Sequence, residues 1–72
     1  MISYAPLWKT MKERGVSSYA LKVKAKIGGS TYNRLRADMP ISTHTIDILC
    51  GYLDCEVQDI LVYVGKKEQE GK

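Results

Sequence analysis

Apolar positions recur along most of this chain with the period of a helix. Tyr4, Leu7, Trp8 and Met11 fall three and four residues apart. Pro6 suits a first helical turn and Gly15 a stop, so the spacing predicts a first helix over about 6–14. Ser17 then stands as the cap of a second helix over 18–24, with Val16 and Leu21 placed as a hydrophobic staple, one just before the cap and one four residues after it. The same entry signal returns as Ile27, Gly28 and Tyr32 before a third helix over 29–37. It returns again as Ile41, Ser42 and Ile46 before a fourth over 43–53, whose buried face reads Ile46, Leu49, Cys50 and Leu53. Asp38-Met39-Pro40 ends the third, because the residue before a proline is pushed out of helical geometry. Val57, Ile60, Leu61 and Val64 mark a fifth helix over 56–63. One entry signal used three times, with short connections, predicts an all-α array of five helices.

One stretch departs from that pattern. LKVKAKI, residues 21–27, alternates apolar and basic residues with the period of a strand. No partner strand is visible elsewhere, and the Ser17 cap and the Gly28-Gly29 turn favour a helix ending near Lys24. In the helix pair so formed, Leu21, Ala25, Ile27, Tyr32 and Leu35 bury two inner faces. Gly29, Ser30, Asn33, Arg34 and Ala37 are left outside. Trp8 reads as a core anchor rather than as a platform for stacking.

Seventy-two residues make one domain, expected over 1–65 and followed by a disordered polar tail over 66–72. The net charge of +3 leans toward a polyanionic partner, and its distribution says more than its size. Eight of the eleven Lys and Arg residues lie between Lys9 and Arg36, against one acid, Glu13. None lies between Asp38 and Gly65, where Asp47, Asp54, Glu56 and Asp59 are spread. The cations therefore cluster around the helix pair. Cys50 and Cys55 fall in apolar surroundings, no signal peptide precedes them, and no apolar run is long enough to span a bilayer, so a reduced cytoplasmic setting away from membranes is expected.

Catalysis is disfavoured. The one histidine, His44, falls in the first turn of the fourth helix, and with Cys50 and Cys55 it cannot close a four-ligand metal site. Gly28-Gly29 lacks the preceding buried strand and the longer glycine spacing of a phosphate loop. Neither a metal, a cofactor nor a small-molecule ligand is suggested.

Between Leu21 and Leu35 the sequence resembles the helix-turn-helix of the phage Cro- and repressor-type (Xre-like) regulator family. The matching residues are Leu21, Ala25, Ile27, Ser30-Thr31, Tyr32 and Arg34-Leu35. ISTHTIDILCGYLDCEVQDIL resembles that family's fourth and fifth helices, and ISYAPLWKTMKERGVSSYAL its compact bacterial branch, so the likeness covers about 2–64. It implies a five-helix lambda-repressor-like domain with the helix-turn-helix at about 18–37. The implied function is that of a sequence-specific double-stranded DNA-binding regulator, a cytoplasmic, nucleoid-associated repressor. Such a protein would act as a homodimer on a two-fold operator, its half-sites about 34 Å apart and its third helix in the major groove.

The resemblance further implies base contacts from Ser30, Asn33 and Arg34, with Arg34 suited to guanine and Asn33 to adenine. Backbone contacts would come from Ser18, Lys22, Lys26, Gly29 and Arg36, Gly29 through its N–H alone. Taken outside the motif, Asn33 and Arg34 read as a solvated helix face; within it, base contact comes first. The apolar run 60–64 offers Ile60, Leu61, Tyr63 and Val64 as a dimer interface, or else closes the monomer's own core. Two positions depart from the family. Lys22 stands where a small or apolar residue is usual, and should lay its stem along the surface. Lys26 stands where glycine is usual, and is expected to hold a left-handed conformation at a cost of roughly 1 kcal/mol. With the bare Gly29, they also fit a rival reading. In it the chain is a protein-interaction module, such as an antitoxin or adaptor, with weak and sequence-blind DNA binding.

Overall fold

The computed structural model describes residues 1–65. A short strand β1 (Ile2–Ser3) leads into helix α1 (Ala5–Arg14), then a π-helix (Ala20–Lys24), helix α2 (Gly29–Arg36), helix α3 (Thr43–Leu53), a 3-10 turn (Val57–Asp59) and strand β2 (Val62–Tyr63). The expected polar tail over 66–72 lies outside the described residues. Among the described residues, no helix is long and apolar enough to cross a membrane.

Each of the four helices donates to one core: Leu7 and Met11 from α1, with Tyr4 just ahead of it, Leu21 from the π-helix, Leu35 from α2, and Leu49 and Leu53 from α3, joined by Ile60 after the 3-10 turn. Burying each of these leucines contributes roughly 1.5–3 kcal/mol, which makes this layer the main support of so small a domain. Trp8, Val16, Ala25, Ile27, Tyr32, Ile41, Cys50, Cys55 and Leu61 pack half-buried around it. Trp8 thus anchors the rim of the core rather than its centre.

The predicted caps form. Ser17 Oγ accepts from Ala20 N–H at 3.1 Å, and Ser42 Oγ accepts from Thr45 N–H at 3.2 Å. After α1, Gly15 takes a left-handed φ of 68°, its N–H reaching Lys12 O and that of Val16 reaching Met11 O. This is a Schellman closure, which only a residue free of left-handed strain makes without cost.

Two expectations are corrected. The helix expected over 56–63 is reduced to the single turn Val57–Asp59, closed by Glu56 N–H on Asp59 Oδ2 at 3.0 Å and tied to α1 by Thr10 Oγ1 donating to Asp59 O at 2.8 Å. Past Ile60 the chain extends, and Val62–Tyr63 pairs antiparallel with Ile2–Ser3, Ile2 facing Tyr63. Two-way bonding between Met1 and Val64 continues the pair. Val62, Tyr63 and Val64 are the β-branched and aromatic types that suit such a ribbon. Among the described residues the domain is therefore mostly helical, with four helices and a short two-stranded pair, and not all-α with five.

The strand-like stretch 21–27 turns out to be neither strand nor regular helix. Ala25 N–H bonds Ala20 O, five residues back, and the N–H groups of Ile27 and Gly28 reach Leu21 O and Lys22 O, six back. The widened turn buries Leu21 and leaves Val23 51% exposed, so the alternation does not mark one buried face.

Candidate nucleic-acid interface

The pose of α2 is fixed at both ends. At its start Gly28 holds φ 85°, ψ 161°, a region open essentially to glycine alone, while its carbonyl accepts from Tyr32 N–H at 3.1 Å. Just before it, Lys26 holds φ 63°, the left-handed conformation expected of it. At the far end Asp38 sits at φ 55°, with its N–H on Leu35 O and that of Met39 on Arg34 O at 2.8 Å. Asp38 Oδ1 accepts from Tyr4 N–H at 3.1 Å, and Tyr4 Oη donates to Met39 O at 2.9 Å. The tyrosine that begins α1 thereby holds the exit of α2. Burial, with the nearby Asp38 carboxylate second, pushes the Tyr4 phenol above its ordinary pKa.

With Leu35 buried and Thr31 and Tyr32 half-buried, α2 turns Gly29, Ser30, Asn33, Arg34 and Arg36 to solvent, and Ala37 just past its end is exposed too. The expected base-reading residues Ser30, Asn33 and Arg34 thus share one exposed face. Arg34 and Ser30 line a groove on one flank, together with Thr31, the loop residues Pro40 and Ile41, and Ser42 and Thr45 at the start of α3. Arg36 lies on the opposite flank, in a groove with Trp8 and Tyr32. Lys26 is exposed in the turn, and Ser18 is half-buried ahead of the π-helix. Lys22 is half-buried, with its ammonium 5.1 Å from the centre of the Tyr32 ring. Among the described residues the ion pair is Lys9–Glu13, at 4.0 Å and largely exposed, which is worth little and leaves the cations of the helix pair uncompensated.

Not every basic residue of the cluster serves this face. Arg14 donates from Nε to Leu53 O and from Nη2 to Asp54 O, both at 3.0 Å. It satisfies carbonyls at the end of α3 that the helix itself leaves open. Nothing in the sequence separates this arginine from the others, since its partners lie about forty residues away. The hold of Tyr4 on Asp38 and Met39 was equally invisible. Of the residues expected at a subunit contact, Ile60 is wholly inside the core and Leu61 half-buried, while Tyr63 and Val64 are 67% and 43% exposed. Among the described residues, no group of three or more His, Cys, Asp or Glu side chains converges as metal ligands would.

The model of the Cro/C1-type HTH DNA-binding domain matches residues 6–66, nearly the whole chain, and the chain belongs to that family. The crystal structure of the transcriptional regulator VanUg, Form II, is similar to this fold with a TM-score of 0.83 and 26% identity, over 90% of this chain and 87% of that one. No curated protein matches the sequence.

Proposed function

We propose that this Cro/C1-type domain is a transcriptional regulator that inserts α2 into the major groove of double-stranded DNA and represses by occupying its site. Arg34, Asn33 and Ser30 meet base edges. Ser18, Lys22, Lys26, Arg36 and the N–H of Gly29 meet the sugar–phosphate backbone. The observation that carries this reading is the exposed face of α2, small and hydrogen-bonding at its centre and flanked on both sides by uncompensated cations. The solved relative VanUg is a transcriptional regulator, which favours the same use here.

A half-site read by one α2 is short, so the domain acts as a homodimer. The strand pair supplies the surface: Ile2, Val62, Tyr63 and Val64 all stand exposed on it. That patch would also suit another protein, which is the rival antitoxin or adaptor reading. The charge on the helix pair gives that rival no use for its cations.

The test is selection of bound sequences from a random duplex pool near physiological salt, with Arg34→Ala run in parallel. The expected result is a two-fold symmetric motif that loses its preference at one position per half-site in the variant. Three cations on phosphates predict a slope of log affinity against log salt of roughly −3 per subunit. No enrichment by the wild-type chain would refute specific recognition and turn attention to a protein partner at the strand pair.

A further inference from the structure

We infer that Trp8 and Tyr32, with Arg36, form a seat for one backbone phosphate of the bound DNA strand that runs along the π-helix side of α2. The inference rests on the major-groove reading above and adds two residues to it. Its premise is helix geometry. Successive residues turn by about 100°, so Arg34 and Arg36 stand roughly 200° apart around the axis, on opposite flanks of the exposed face. A major groove about 12 Å wide, filled by a helix of nearly that diameter, brings one sugar–phosphate wall against each flank. On Arg34's flank the wall meets the start of α3. On the other it meets a groove of about 470 Å³ lined by Trp8, Tyr32 and Arg36.

The chemistry of that groove suits a phosphodiester. Tyr32 and Arg36 are one turn apart on α2, and Trp8 comes across from α1 to meet Tyr32 edge-on, with centroids 5.8 Å apart and planes at 76°. Both rings are half-buried, packed against the edge of the core and lining the open groove. Among the described residues, neither the indole N–H nor the phenol O–H donates to a protein acceptor, which leaves both free for a partner from solvent. The Lys22 ammonium, 5.1 Å from the Tyr32 ring centre, and the exposed Arg36 guanidinium make the surroundings positive. Two ring donors and two cations gathered on one flank of α2 suit an anion. Because the groove is open and continuous with the exposed face of α2, its occupant is a phosphate carried on a polymer. Such contacts position a protein on the duplex without reading sequence.

The test uses the full chain with Trp8→Phe, Tyr32→Phe and Arg36→Gln, each checked for helical content by circular dichroism. Binding is measured by fluorescence anisotropy on the selected duplex and on a scrambled one. A second series carries a single neutral methylphosphonate stepped along one strand. The expected result is that each Phe variant weakens binding to both duplexes alike, about threefold to tenfold for one lost hydrogen bond, with the selected motif unchanged. Arg36→Gln should reduce the salt slope by about 1. One methylphosphonate position should weaken wild type and leave Tyr32→Phe without further loss. If Trp8→Phe fails to fold, Tyr32→Phe and the methylphosphonate series decide alone. Wild-type affinity in Tyr32→Phe, or the same methylphosphonate losses in it as in wild type, overturns this inference and leaves the major-groove reading standing. A shifted sequence motif overturns it too, by making the residue a base reader. Failure of the wild-type chain to bind any duplex removes both.

Discussion

The adjacent glycines Gly28 and Gly29 should respond to alanine with opposite signs, because they occupy different backbone conformations at the entry to α2. Gly28 holds φ 85°, ψ 161°, whereas Gly29 is the first residue of the helix with an ordinary φ. A Cβ built on either meets nothing within 4 Å, so packing does not distinguish them and only the backbone can. For Gly28→Ala, holding a side chain in that region costs about 1–3 kcal/mol. The stiffer unfolded chain returns about 0.4–1 kcal/mol. The net is a loss of about 1–2 kcal/mol. Gly29→Ala keeps only the second effect and should gain about 0.5 kcal/mol. In a domain of this size 1 kcal/mol moves the melting midpoint by about 4–8 °C, so the two variants should melt roughly 10 °C apart, on either side of wild type. Urea titration and thermal melts followed by circular dichroism measure this directly. Duplex affinity should follow the same division, since relaxing Gly28 swings the start of α2 while its end stays tied to Tyr4. Gly29→Ala keeps the N–H offered to a phosphate. Equal stabilities for the two variants, or a Gly28→Ala protein as stable as wild type, would refute the claim that Gly28 sets the pose of α2.

Lys26→Gly exchanges left-handed strain of roughly 1 kcal/mol for a similar gain in unfolded-state freedom, so stability by urea titration should stay within about 0.5 kcal/mol of wild type. Its salt slope on duplex DNA should nevertheless shrink by about 1, and an unchanged slope would remove Lys26 from the backbone contacts. Arg14→Ala should lower stability by about 1–2 kcal/mol through the two carbonyls left open at the end of α3, with the selected DNA motif intact. Unchanged stability with a smaller salt slope would instead put Arg14 on the DNA. Burial raises the pKa of both Cys50 and Cys55. The contact between the two thiols opposes this at Cys50, while the charge of Cys50 adds to it at Cys55. The folded chain therefore holds these protons more tightly than the unfolded one, and stability should fall as pH rises above roughly 8.5 toward the raised values. Melting midpoints against pH should show that decline, and a Cys50→Ser, Cys55→Ser protein should postpone it to the tyrosine range. A decline of the same onset in both proteins would refute the assignment.

What the sequence made legible were features decided within a few residues. Gly15 ended α1, Ser17 and Ser42 capped where their staples placed them, Asp38-Met39-Pro40 closed α2, and Leu21, Leu35, Leu49 and Leu53 went to the core. What it hid were choices settled by distant partners. Val57, Ile60, Leu61 and Val64 have helical spacing, yet β2 forms because Ile2–Ser3 lies beside it, a pairing across about sixty residues that no local pattern announces. Arg14 looks like any cation of its cluster until Leu53 and Asp54 arrive. The stretch 21–27 lies between these cases. Its alternation was a true sign that a regular helix does not run through it, though the answer was a π-turn rather than a strand.

That turn also explains how a lysine is borne in a left-handed conformation. Ile27 and Gly28 donate six residues back, so the carbonyls of Leu21 and Lys22 are satisfied by the wide turn that brings Lys26 to φ 63°. The strain at Lys26 and the glycine-only conformation at Gly28 then belong to one continuous bend between the π-helix and α2. Lys26 can relax there at little net change, because glycine at that position gains and loses similar amounts. Gly28 has no such alternative, since an L side chain at φ 85°, ψ 161° remains strained whatever surrounds it. The aim of α2 therefore depends on a backbone position at which an added side chain would touch nothing. A close-packed neighbour would have marked it in the contacts, whereas here the sign of an alanine substitution is what reveals it.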